Sequence, residues 1–350
     1  MDQRTTLTLG LDISDRYTHF CVLPPEGEDI LEQGRVRTTS RAMEGFLGVR
    51  KPCRVVLEAG THSPWISRLA AEAGHEVLVA NSRALRFIYS STRKSDRRDA
   101  ELLARVGRMD PSLLSPIRHR REETQKALMV LRVRDTLVLS RAKQVNAARG
   151  LVKALGMRVT KCSTKAFPKT ARRTLPEELQ ELLAPLLDSI DDLTLRIRRQ
   201  DRRVEELCRE TYPETELLRQ VHGVGPVVAL AFVLTLEDPA HFAKSRDVGP
   251  YLGLVPRRDQ SGDQDPSLRI SRAGDTYLRR LLVQSAQYIL GPLGKDCDLR
   301  RRGLRIVEAR GPRAKRKAVV ATARRLAVLL HALWKTGEVY EPLRSEQQAA

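Results

Sequence analysis

The sequence predicts an α/β domain built on a mixed sheet, followed by a helical hairpin and a mainly helical C-terminal domain. Three observations carry that expectation. The first 110 residues alternate strand-like and helix-like patterns, two long helix-period runs follow, and beyond Glu214 short helices alternate with glycine turns.

Along the chain, "TLTLGLDI" (from residue 5) and "YTHFCVLP" (17–24) read as strands joined by the polar turn Ser14-Asp15-Arg16. "GRVRTT" (34–39) alternates as a third strand, and Ser40 is the expected N-cap of a helix carrying Met43, Phe46 and Leu47. "CRVVLEA" (53–59) has the continuous apolar run of a buried strand. A helix beginning with Pro64 (64–74), a strand "HEVLVA" (75–80) and a helix over Asp99–Val106 complete the first domain, about 1–110. Residues 121–155 form one long helix pattern and 176–212 a second, whose apolar positions Leu179, Leu183, Leu186, Ile190, Leu193 and Ile197 keep heptad-like spacing. Pro185 interrupts it and is the expected first residue of the sustained helix. The pair, within about 115–212, is either an ordinary antiparallel hairpin or a coiled coil that pairs subunits. The last domain spans about 213–340 and ends in a basic helix pair.

Charge narrows the function. Lys and Arg number 62 against 43 acidic residues, a net charge of +19. An excess of that size calls for a polyanionic partner, because neutralised phosphates release counterions. It is uneven: residues 1–110 hold 17 basic and 15 acidic side chains, so the excess lies beyond them. Five scattered cysteines with no C-x-x-C pair support neither a zinc site nor a disulfide framework, and fit a reducing cytoplasm. The N-terminus lacks a signal-peptide core and no apolar run reaches membrane-spanning length, so no membrane partner is expected.

The carboxylates are placed selectively. Asp12 closes a strand in "LGLDIS", and Glu58 closes a buried strand in "VVLEAG". Asp96 and Asp99 stand three apart at the start of a helix in "KSDRRDAELLA", where like charges repel unless something offsets them. Either a divalent cation does so, or Lys94, Arg97 and Arg98 do. Carboxylates delivered by strand ends suit hard ions such as Mg2+, and two such ions serve phosphodiester chemistry. Strand-terminal acids that never meet are the plainer alternative.

"LGLDIS", "VVLEAG" and "KSDRRDAELLA", in that order, resemble the front domain of bacterial insertion-sequence transposases with a D-E-D-D catalytic domain. The resemblance implies a ribonuclease-H-like (RuvC-like) fold, akin to Holliday-junction resolvases, in which Asp12, Glu58, Asp96 and Asp99 hold two Mg2+ ions. "VHGVGPVVAL", "YLGLVP", "QSG" and "ISRAGDTYLRR" resemble the family's second transposase domain, so the likeness covers nearly the whole chain.

In "HGVGP", Gly223 and Gly225 allow backbone N–H groups to approach a phosphate between two helices, or simply make an interhelical turn. In the family, a serine before glycine at the "QSG" point is the nucleophile that becomes linked to DNA, which implies Ser261. Members often carry a second serine directly before it, where this chain has Gln260, and Arg272 stands where a Lys is usual. A serine hydroxyl needs activation, and the carboxylate-bound metals are the expected source, making the site composite. Arg257, Arg258, Arg272 and Arg279 are candidates for holding the scissile phosphate. Aromatic residues are only 4% of the chain, so stacking platforms for bases are poorly supplied. In the family a structured RNA from the element's own end selects donor and target DNA, and the resemblance implies such a guide here.

The expected activity is therefore cutting and rejoining of DNA by a homo-oligomer, a dimer or tetramer, in a bacterial cytoplasm and associated with the nucleoid. A water-using junction nuclease and a non-catalytic nucleic-acid-binding protein are the rival readings.

Overall fold

The computed structural model describes residues 7–82, 85, 95–257, 260 and 268–344. The chain divides into two compact units, Met1–Arg121 and Glu122–Ala350.

In the first unit, Thr8–Ile13 (β1), Tyr17–Leu23 (β2) and Glu32–Arg37 (β3) make an antiparallel meander. Arg54–Glu58 (β4) and Glu76–Ala80 (β5) then add in parallel on the other side of β1, giving the order β3-β2-β1-β4-β5. Side chains alternate across the sheet. Leu9, Leu11, Phe20, Val22, Val55 and Leu57 face Ser40–Gly48 (α1) and Ser63–Glu72 (α2), burying Met43, Leu47, Ile66 and Ala70 with them. The opposite face carries Gly10, Cys21 and Val56 and is covered by Asp96–Met109 (α3).

The packing of α3 is unusually close. A Cβ on Gly10 would stand 2.1 Å from the Ala100 carbonyl oxygen, and one on Gly107 would stand 2.4 Å from Val56 Cγ2. The helix presents Ala100, Ala104 and Gly107 to the sheet, so backbone meets backbone. Arg54, only 5% exposed, donates to the Gly107 carbonyl at 3.1 Å while pairing with Glu76. Arg108 donates to the Pro24 and Gly27 carbonyls, and Gln33 donates to the Arg97 carbonyl at 3.3 Å. Both ends of α3 are thus tied down.

Several boundaries differ from expectation. β3 lies two residues earlier than 34–39, and the N-cap of α1 is Thr39, whose hydroxyl accepts from the Ala42 N–H, instead of Ser40. The helix expected from Asp99 begins at Asp96, because Ser95 caps it by accepting from the Arg98 N–H.

In the second unit, Glu122–Ala154 (α4) and Glu177–Glu210 (α6) form the hairpin, with Phe167–Thr174 (α5) at its tip. Pro185 does not start the second helix; α6 runs through it. Leu183 and Leu187 are buried on either side against Val145, Val152 and Phe167, and that packing offsets the lost backbone hydrogen bond. The apolar stripe of α6 packs within the chain, on α4.

The base of the hairpin joins a larger core. Ala127, Leu131, Val204 and Cys208 pack with Thr215–Arg219 (α7), the almost wholly apolar Pro226–Leu236 (α8), Val248–Tyr251 (α9), Thr276–Leu290 (α10), Asp298–Arg310 (α11) and Lys315–Thr336 (α12). The expected boundary near 212 falls inside this shared core. Among the described residues no helix is long and apolar enough to cross a membrane. All five cysteines are free, and burial pushes the Cys21 and Cys53 thiols up to about 11, which keeps them protonated and inert near neutrality.

Gly10→Ala forces α3 off the sheet, and the expected result is a loss of about 1–3 kcal/mol of stability, as for overpacked cores. Chemical denaturation measures it; an unchanged midpoint would contradict the backbone-on-backbone account.

Candidate catalytic site

Strand register brings the first acids together. Leu11 of β1 pairs with Leu57 of β4, so Asp12 and Glu58 stand one step on, at neighbouring ends of two parallel strands. Both occupy the α3 face, continuing the alternation Gly10–Asp12 and Val56–Glu58. Arg54, at the start of β4, meets Gly107 near the end of α3, so the helix N-terminus lies toward the carboxyl ends of β1 and β4. Asp96 and Asp99 sit in that first turn. A helix N-terminus favours acids by itself, but that does not account for Asp12 reaching them.

The closest group contains a residue the sequence reading passed over. One ligand atom each of Asp12, His19 and Asp96 lie within 4.8 Å of one another. His19 is directly opposite Asp12 across the β1–β2 hairpin. Its Nδ1 lies 3.4 Å from Asp96 Oδ2, yet this buried nitrogen makes no hydrogen bond. The Asp96 side chain is 60% exposed, whereas Asp99 is 7% exposed and Glu58 half-buried. Glu58 and Asp99 share the face but are not in the close group. The signal for His19 was available: counting back across the Ser14-Asp15-Arg16 turn pairs it with Asp12.

These donors fit a divalent cation. The group's 4.8 Å spread suits one ion whose ligands stand about 2.0–2.6 Å away. The carboxylates favour a hard ion, and the unbonded His19 Nδ1 offers a further donor or an acceptor for a metal-bound water.

In the second unit, Ser261 and Arg258 lie outside the described residues. Arg257 is exposed, and its backbone N–H donates to the Arg269 carbonyl. Arg272 is exposed and has the left-handed φ of +54°, uncommon away from glycine. Arg279 is the fourth arginine expected at the phosphate. It is 8% exposed, and its guanidinium donates to the Leu252 and Ala273 carbonyls and to Thr276 Oγ1, which makes it an internal brace. Gly223 has φ +90° and lies where a Cβ would press on Ile289 and Tyr288; Gly225 is the extended N-cap of α8, with open space around it.

A family model described as "Transposase IS116/IS110/IS902 family" matches residues 215–294, and the DEDD transposase-domain model of the IS110 group matches residues 9–157. A "Probable family 20 transposase" of Pseudomonas aeruginosa is 32% identical over 300 residues, covering 83% of this chain and 86% of its own length. The chain belongs to the IS116/IS110/IS902 transposase family. It is also similar to the transposase for insertion sequence element IS1111A of Coxiella burnetii, at 25% identity over 95% of this chain and 90% of that protein. The transposase for IS1328 of Yersinia enterocolitica is 29% identical over 80% of this chain and 82% of its own. The five-stranded mixed sheet of this transposase is the ribonuclease-H-like fold of the DEDD domain, and the enzyme class is one that cuts and rejoins DNA.

Asp12→Asn is expected to weaken Mn2+ binding by at least about tenfold, and His19→Ala by about 10–100-fold if it holds a ligand or its water. Electron paramagnetic resonance of free Mn2+ measures both. Wild-type affinity in the two variants would place the ion elsewhere.

Proposed function

We propose that this transposase cuts and rejoins donor and target DNA through divalent ions, two Mg2+, held by Asp12, Glu58, Asp96 and Asp99, with Ser261 as the nucleophile and a structured RNA choosing the sites. The observation that carries the metal part is the convergence of Asp12, His19 and Asp96. Bound there, the ions would supply Lewis-acid stabilisation of a phosphodiester undergoing displacement. The chain's own part is positional. Asp12 and Glu58 project from strand ends that the sheet keeps rigid, and Asp96 and Asp99 from a helix tied at both ends.

The serine part rests on the family resemblance of "QSG". Ser261 Oγ attacks the phosphorus, forms a phosphoserine link to one strand end and releases the other end as a hydroxyl. The hydroxyl of the incoming strand then attacks that link, restores a phosphodiester and returns the proton-bearing serine. Bond energy is conserved, so no nucleotide cofactor is required. The exposed Arg257 and Arg272, together with Arg258, are suited to hold the phosphate, and the backbone at Gly223 and Gly225 to contact another. Joining two duplexes takes several serines, which favours a homodimer or tetramer. The +19 charge, concentrated beyond residue 110, accommodates RNA as well as DNA and favours residence on the nucleoid.

Adduct trapping tests this reading. The protein is incubated with Mg2+, RNA from the noncoding end of its element, and donor and target DNA, then run on a denaturing gel. The expected result is a protein–DNA adduct that disappears in both Ser261→Ala and Asp12→Ala. Cleavage that leaves no adduct and survives Ser261→Ala would instead establish a water-using nuclease.

A further inference from the structure

The second unit carries a cleft of about 1330 Å3 whose lining shares only Arg272 with the proposed chemistry. One wall is α12. The other is a short ladder in which Pro256 bridges Ile270, the Ser271 N–H donates to the Val255 carbonyl, and the Arg257 N–H donates to the Arg269 carbonyl. The start of α11 and residues 340–344 close the cleft, with the Asp298 N–H donating to the Pro342 carbonyl at 2.8 Å.

Its charge is lopsided. Nine lining side chains are Arg or Lys, and only Asp298 and Glu341 are acidic. Elsewhere in the same unit arginines are matched: Arg134 with Asp201, Arg172 with Asp188, Arg280 with Asp135. In the cleft, among the described residues, Arg269, Arg272, Arg316, Lys317, Arg324 and Arg325 have no carboxylate partner. Burial, and then repulsion by Arg302, Arg305 and Arg324, lowers the proton affinity of Arg325. Such crowding is unfavourable until an anion enters. Arg272 adds strain, since its left-handed backbone is held by the Gly253 carbonyl on this same wall.

The floor is apolar. Val320, Val328 and Leu329, each half-buried, line it between the cations. The lining runs along α12 from Arg316 to Ala332, about 24 Å at 1.5 Å per residue, so the occupant is extended. A duplex would meet the rim with phosphates but keep its bases stacked inside, leaving the aliphatic floor without a partner. A separated strand satisfies both surfaces, with bases against aliphatic groups and guanidinium planes. The scarcity of aromatic residues is met here by other flat or apolar partners.

We infer that this cleft binds a single strand of DNA, phosphates on the α12 and ladder rims and bases on the Val320–Val328–Leu329 floor, as strands separate during exchange. It goes beyond the reading above and rests only on membership in a DNA-moving family; neither the carboxylates nor Ser261 enters.

The test is fluorescence anisotropy of the full chain in EDTA, so that no cutting occurs, with a labelled oligothymidylate of about 20 nucleotides. The expected order is single-stranded DNA tighter than the same length of duplex or of oligouridylate. Arg324→Gln with Arg325→Gln should weaken the single strand at least tenfold and reduce the slope of log affinity against log salt by about 1.4, two phosphates at about 0.7 each. Val320→Thr should weaken it several-fold with the slope unchanged. If the first pair fails to fold by circular dichroism, Arg316→Gln with Lys317→Gln, both exposed on α12, replaces it. A preference for duplex or RNA, or an unchanged salt slope in a folded pair variant, overturns the inference. A chain that binds the strand in this manner but forms no adduct would keep the cleft and lose the serine chemistry.

Discussion

The first unit depends on one contact, the backbone of α3 lying directly on the backbone of β1. Only glycine at position 10 and the small side chains Ala100 and Ala104 permit it. That closeness brings the first turn of α3 to the carboxyl ends of β1 and β4, where Asp12 and Glu58 emerge. A larger residue on either surface would lift the helix and move Asp96 and Asp99 away from the strand acids. Two features that look unrelated in the sequence, a strand glycine and a small-residue helix face, are therefore conditions for bringing these acids to one end of the sheet.

The second unit solves a different problem. Its core is drawn from many helices around the apolar α8, and the hairpin contributes its base to that core while its tip forms a smaller one. The surface left over is strongly cationic and only partly neutralised by carboxylates. Arg279 shows how the two tasks divide: one arginine is folded inward to brace the turn at Leu252 and Ala273, while Arg269 and Arg272 nearby in the chain remain at the surface.

Much of this was legible in the chain. The strand alternation of 17–24, the buried run of β4 and the two long helices each follow from period and punctuation, and the helix–glycine–helix turn at 223 from Gly and Pro. What escaped were effects set by tertiary contact. Pro185 lies within a helix because Leu183 and Leu187 are buried on both sides of it. Arg279 is a brace because carbonyls converge on it, which no local pattern records. His19 was missed because a histidine in an alternating strand reads as filler until the hairpin register sets it opposite Asp12. The positions of Asp12 and Glu58 at strand ends were visible early; their closeness to Asp96 depended on how α3 crosses the sheet.

The central claim is that the carboxyl ends of β1 and β4 and the first turn of α3 together build a divalent-ion site. Anomalous diffraction from crystals soaked in Mn2+ addresses it directly. The account predicts a peak bounded by Asp12, His19 and Asp96, on the side where Glu58 emerges. An ordered Mn2+ bound at other residues, with these side chains unchanged, would contradict it.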